Sequence, residues 1–114
     1  MIRLFHCDDS DAMRLLIREQ FASSDRVQVV GGAPDPQAAV SGAAQIQPDV
    51  VLLDLLDPAN ADRLVTELRA AAPSARIVVY SGYPPESAQI AHGGADAYVE
   101  KSAPFSVLQK AVLG

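Results

Sequence analysis

The chain has 114 residues, 49% hydrophobic and 20% charged, which suits one small globular domain with its own core and excludes a disordered chain. Fourteen acids against nine bases leave a net charge of −5, which argues against direct nucleic-acid binding by this chain. A single cysteine, Cys7, excludes an internal disulfide, no Cys/His cluster suggests zinc, and no apolar run approaches a membrane span. The start, MIRLFHCDDS, lacks a signal-peptide cleavage pattern, so a soluble cytoplasmic protein with no membrane contact is expected.

Strand-like and helix-like segments alternate along the chain. Ile2 to Cys7 is a short apolar run ending in Asp8 and Asp9. Ser10 caps a helix whose Met13, Leu16, Ile17 and Phe21 follow helical spacing. Val27 to Val30 is a second strand, closed by Gly31 and Gly32. Asp35 followed by Pro36 is an N-cap and first-turn signal, and Val40, Ala43, Ala44 and Ile46 give that helix an apolar face. Val50 to Leu53 is a third strand ending at Asp54, and Leu64, Val65 and Leu68 mark a third helix that stops before Pro73. Ile77 to Tyr80 is a fourth strand ending at Ser81. The fourth helix is expected to be short, because Pro84 and Pro85 precede it and Gly93 and Gly94 follow it. Ala97 to Glu100 is a fifth strand ending at Lys101, and Pro104 opens a last helix with Val107, Leu108, Ala111 and Val112 inward.

Five such units predict an α/β fold, a five-stranded parallel sheet doubly wound as (βα)5. The third and fourth strands are nearly continuous β-branched or leucine runs, as in strands buried on both faces. The expected strand order is 2-1-3-4-5, a flavodoxin-like arrangement that places ligands beyond the carboxyl ends of the strands. Asp8, Asp9, Asp54, Ser81 and Lys101 all leave strands at that edge. Three carboxylates converging on one crevice repel one another, and a hard divalent cation such as Mg²⁺ relieves them. Lys101 and Ser81 are placed to meet an oxyanion.

The order DD, VVLLD, VVYSG and YVEKS resembles the receiver domain of two-component response regulators, and the resemblance runs from Ile2 to Leu113. It implies a phosphorylation-dependent signalling switch and a phosphoacceptor domain, not an enzyme acting on other molecules. Asp54 takes the acceptor's place, receiving a phosphoryl group from a sensor histidine kinase or a histidine phosphotransfer protein. Asp9 and Asp54 would hold Mg²⁺ or Mn²⁺ directly, Asp8 indirectly, and the Leu56 backbone carbonyl would add a ligand. Ser81 and Lys101 would take the remaining phosphoryl oxygens. Tyr98 stands at the switch aromatic's place, following Ser81 inward after phosphorylation; the alternative for Tyr98 is a half-buried edge aromatic. Leu56, Asp57, Gly82 and Tyr83 flank the acceptor and would tune its kinetics, the bulky Leu56 and Tyr83 slowing self-dephosphorylation by crowding the path of water.

The sequence departs from the family pattern in three places. D-x-x-M-P-x-x-D-G reads here Asp54-Leu55-Leu56-Asp57-Pro58-Ala59-Asn60-Ala61, with an acid at Asp57 that either joins the metal's surroundings or points to solvent. The Ser81 to Lys101 segment is shorter than usual, which puts the family's common dimer through that face in question. Ser102 follows Lys101 where many members have a cis proline, so this loop is expected to differ. His6 and Cys7 alternate along a strand and read as core packing, and Arg14, Arg18 and Arg26 as a solvated face. The expected unit is one receiver domain over residues 1–114 with its output domain or partner protein elsewhere, a monomer or a phosphorylation-dependent homodimer. Two other readings stand beside it: an atypical receiver that binds protein without phosphorylation, and a small flavodoxin-like enzyme or cofactor carrier. The second lacks a Gly-rich phosphate loop after the first strand.

Overall fold

Five parallel strands pair in the order β2-β1-β3-β4-β5, in a computed structural model that describes residues 1–54, 60–82 and 94–114. The strands are β1 (Ile2–Cys7), β2 (Val27–Ala33), β3 (Val50–Leu53), β4 (Arg76–Ser81) and β5 (Ala97–Glu100). The helices among the described residues are α1 (Asp11–Phe21), α2 (Pro36–Ile46), α3 (Ala61–Ala71) and α4 (Phe105–Leu113). The doubly wound order agrees with the sequence reading, and so does the position of every strand except the end of β2. The short helix expected between β4 and β5 falls outside the described residues.

Strand alternation divides the core in two. Phe5, Cys7, Val51, Leu53, Ile77 and Val79 face α2 and α3, packing on Ala39, Ala43, Val65 and Leu68. Leu4, Val50, Leu52, Val78, Tyr80 and Val99 face α1 and α4, packing on Ile17, Phe21, Leu108 and Val112. Phe21 and Phe105 meet edge to face across α1 and α4, with ring centroids 5.0 Å apart.

Local signals set the helix starts. Ser10 Oγ accepts the Met13 N–H at 3.1 Å, and Asp35 Oδ1 accepts the Ala38 N–H at 2.8 Å with Pro36 at the first position. Three packing expectations need correction. Leu16 and Val107 are exposed, at 44% and 43%; the inward stripe of α4 is Phe105, Leu108, Ala111 and Val112, with Phe105 in the place expected for Val107. Ala44 is exposed, and Ala39 takes its place beside Ala43 on the buried face of α2.

β2 also runs past Gly31 and Gly32 to Ala33. Its register with β1 shifts between Leu4 and Phe5, so Val30 has no partner and Phe5 lies opposite Gly31. The glycines accommodate bulk from elsewhere: a Cβ at Gly31 would lie 3.0 Å from Ile46 Cδ1 and 3.2 Å from the Phe5 ring. On α2, a Cβ at Gly42 would come within 2.5 Å of Phe5 Cζ, so this helix seats on Phe5 through a bare backbone.

Candidate functional site

The carboxyl edge of the sheet is built by main-chain hydrogen bonds that carry strand pairing one residue further. Asp8 N–H donates to Ala33 C=O at 3.0 Å, Asp54 N–H to Cys7 C=O at 2.8 Å, and Lys101 N–H to Ser81 C=O at 2.8 Å. Asp8, Asp54 and Lys101 therefore inherit the order of the strands they leave. Among the described residues, Asp8, Asp9 and Asp54 form one acidic group, each offering a carboxylate oxygen within 4.8 Å of the others. Asp8 and Asp54 are buried and Asp9 is exposed.

Asp8 is held at both oxygens. Its Oδ1 accepts the Ser10 N–H at 2.9 Å, and its Oδ2 accepts Lys101 Nζ at 3.1 Å. The same ammonium lies 3.3 Å from Asp54 Oδ2, so one cation serves two carboxylates. Burial raises the Asp54 carboxyl above its usual range and the Asp8 charge adds to this, while Lys101 opposes both. Burial works against the Lys101 ammonium, yet the hydrogen bond it donates to Asp8 and the charges of Asp54 and Asp8 raise it above the ordinary lysine value. A site of three acids and one shared lysine has an all-oxygen donor set and unneutralised negative charge, which fits a hard divalent cation.

Ser81 is fully buried at the end of β4. Alternation from Ile77 and Val79 places it on the α2/α3 side, where half-buried Tyr98 packs from β5. The two are thus on one face of neighbouring strands, beside the acidic edge. Gly82 is exposed, and a Cβ there would meet nothing within 4 Å among the described residues. Leu56, Asp57 and Tyr83 lie outside the described residues. No described peptide bond is cis, so Lys101 joins Ser102 in the trans form.

Cys7 opens onto a cavity of about 570 Å³ between α2 and α3 that also reaches Asp54, Val40 and Leu64. Burial, with the nearby acids, pushes the thiol up to about 12, so it is a protonated packing group, as its core reading expects. His6 points to the other side, is 1% exposed, and is pushed down to about 4, chiefly by burial.

Three neighbours of the site escaped the sequence reading. Arg18 and Arg26 are exposed as expected, but Arg14 is half-buried. Its guanidinium donates to the Asp8 carbonyl and to the Asp11 carboxylate, and its stem passes over Gly32, where a Cβ would lie 3.2 Å from Arg14 Cδ. Tyr80 lies under Lys101, with Nζ 5.9 Å from its ring centroid. His6 Nε2 stands 3.7 Å from Asp8 Oδ2. Arg14 is four residues beyond the cap Ser10, a spacing that returns it to the acidic loop; Tyr80 and His6 carried no signal beyond strand parity.

The sequence model of the response regulator receiver domain matches residues 4–113. Response regulator protein VraR of Staphylococcus epidermidis is 25% identical over 114 residues, covering 97% of this chain and 54% of its own length. Response regulator GacA of Pseudomonas viridiflava is 30% identical over 115 residues, covering 98% of this chain and 54% of its own. The chain thus spans about half the length of these curated relatives. The signal receiver domain of the response regulator NarL from Mycobacterium tuberculosis superposes with a TM-score of 0.86 at 27% identity, over 98% of this chain and 93% of that one.

Proposed function

The chain belongs to the response regulator receiver domain family, and on that premise we propose that Asp54 is the phosphoacceptor of a two-component signalling switch. The observation that carries the assignment is the shared ammonium: Lys101 Nζ at 3.1 Å from Asp8 and 3.3 Å from Asp54, beside the exposed carboxylate of Asp9. Phosphoryl transfer demands positioning and charge neutralisation more than acid–base work. Asp54 attacks the phosphorus of a phosphohistidine on a kinase or phosphotransfer protein; the Oδ–P bond forms as the N–P bond breaks, and the histidine leaves.

Asp9 and Asp54 would hold Mg²⁺ directly, with Asp8 oriented by Ser10 and Lys101 to support it. Bound there, Mg²⁺ supplies charge neutralisation for the acceptor and the incoming phosphoryl oxygens. Lys101 takes a second phosphoryl oxygen and the Ser81 hydroxyl donates to a third. Ser81 shifts toward the phosphoryl group and Tyr98 follows it inward on the α2/α3 side, a packing change that a partner protein or output domain reads. The Leu56 carbonyl as a ligand, and Leu56 and Tyr83 as brakes on hydrolysis, rest on sequence position alone. The proposed location is the cytoplasm, where histidine kinases deliver their phosphoryl groups; no described helix is long and apolar enough to cross a membrane.

Intact mass spectrometry after incubation with Mg²⁺ and acetyl phosphate tests the assignment. One phosphoryl adduct is expected in the wild type and none in Asp54→Ala. No adduct in the wild type, together with no Mg²⁺-dependent response to beryllofluoride, would favour a protein-binding module that works unphosphorylated.

A further inference from the structure

His6 occupies a β1 position between Leu4 and Asp8 on the α1/α4 side of the sheet. The ring is 1% exposed, and among the described residues neither Nδ1 nor Nε2 has a hydrogen-bond partner. An unpaired buried polar group costs about 1–3 kcal/mol, a cost that a leucine at this apolar site would avoid. Asp8 Oδ2 lies 3.7 Å from Nε2, just beyond hydrogen-bond range. That oxygen is the one Lys101 holds at 3.1 Å, while Ser10 N–H occupies Oδ1.

Resting on the phosphoacceptor reading, the geometry points to His6 as a positioning residue, a reserve donor to Asp8. When a phosphoryl group on Asp54 draws Lys101 forward, Asp8 Oδ2 loses its partner. A buried carboxylate oxygen left without a donor is destabilised, even with Ser10 N–H still on Oδ1. A movement of less than about 1 Å brings the Nε2–H of His6 into bonding distance of the vacated oxygen. Asp8 then keeps its orientation toward the cation site while Lys101 serves the phosphoryl group. In the resting state the ammonium and the imidazole compete for one oxygen, which accounts for the unpaired Nε2.

Nitrogen-15 NMR of the histidine side chains, with Mg²⁺ and then beryllofluoride added, reads this directly. The chain has two histidines, so the His6 signals are assigned by their loss in His6→Gln. A downfield, slowly exchanging Nε2–H proton is expected only in the beryllofluoride complex. In parallel, His6→Leu is expected to weaken beryllofluoride binding about tenfold while its melting temperature holds or rises, and His6→Gln, which returns an N–H donor, to restore binding to within about threefold of wild type. A packing role alone would lower the melting temperature of His6→Leu and leave the NMR signal unmoved. Wild-type binding equalled by His6→Leu, or an Nε2 signal unchanged on beryllofluoride binding, would overturn the His6 role alone. No binding by the wild type would overturn the phosphoacceptor reading and this one with it.

Discussion

Lys101 is the residue on which the site's charge balance turns. Removing it leaves Asp8 and Asp54 facing each other without a cation, so Lys101→Ala should raise Asp54 further and strengthen Mg²⁺ binding in calorimetry, because no ammonium competes for the carboxylates. Phosphorylation by acetyl phosphate should nevertheless slow by about a hundredfold or more, since a preorganised charge on the transferring group is lost. Unchanged phosphorylation kinetics would remove Lys101 from the transfer step. His6 governs a separate, acid-side sensitivity. Its folded pKa of about 4 lies below the ordinary histidine value of 6.5, so between those values the unfolded chain binds the proton more readily. His6 therefore disfavours the folded state progressively as pH falls from about 6.5 to 4, by at most about 3 kcal/mol in all, with no further loss below that window. In metal-free protein, urea titrations should show wild-type stability falling more steeply than that of His6→Gln across this range. Parallel curves would contradict the shift.

At the scale of elements, α2 shows how closely a helix can depend on a missing side chain. Gly42→Ala drives a methyl into the Phe5 ring, with a contact of 2.5 Å to Cζ, and should cost about 1–3 kcal/mol despite alanine's higher helix propensity. A denaturant midpoint equal to or above wild type would show that Phe5 yields freely. The helix caps Ser10 and Asp35 and the strand ends at Asp8, Asp54 and Lys101 were legible in sequence because their signals are local: a polar residue closing an apolar run, or a Ser or Asp opening a helical one. The errors came where tertiary packing decides. Gly31 and Gly32 read as a stop, yet they continue an edge strand because Phe5 and Ile46 occupy the space a side chain at Gly31 would need, and the His6 carbonyl and Arg14 the space at Gly32. Leu16 and Val107 read as core because apolar residues at helical spacing do not reveal the width of the buried stripe. Arg14 read as solvated because nothing in a sequence tells how far a long side chain reaches back over a glycine. The role of Leu56 rests on family resemblance, which no local signal replaces.

Across the whole molecule, the two faces of the sheet carry different parts of the site. Asp8, His6, Tyr80 and Lys101 gather toward α1 and α4, while Ser81 and Tyr98 lie toward α2 and α3. Tyr98→Ala should therefore bind beryllofluoride within about threefold of wild type while losing most of the ligand-induced amide shifts on the α2/α3 side. Equal loss of binding and shifts would merge the two faces into one unit. The two sides meet at the main-chain bond from Lys101 N–H to Ser81 C=O. That bond ties the strand end that carries the lysine to the one that carries the serine. Being made of backbone, it is indifferent to which side chains flank it. Side chains at either strand end can therefore be exchanged while the two strands stay joined at the site's edge.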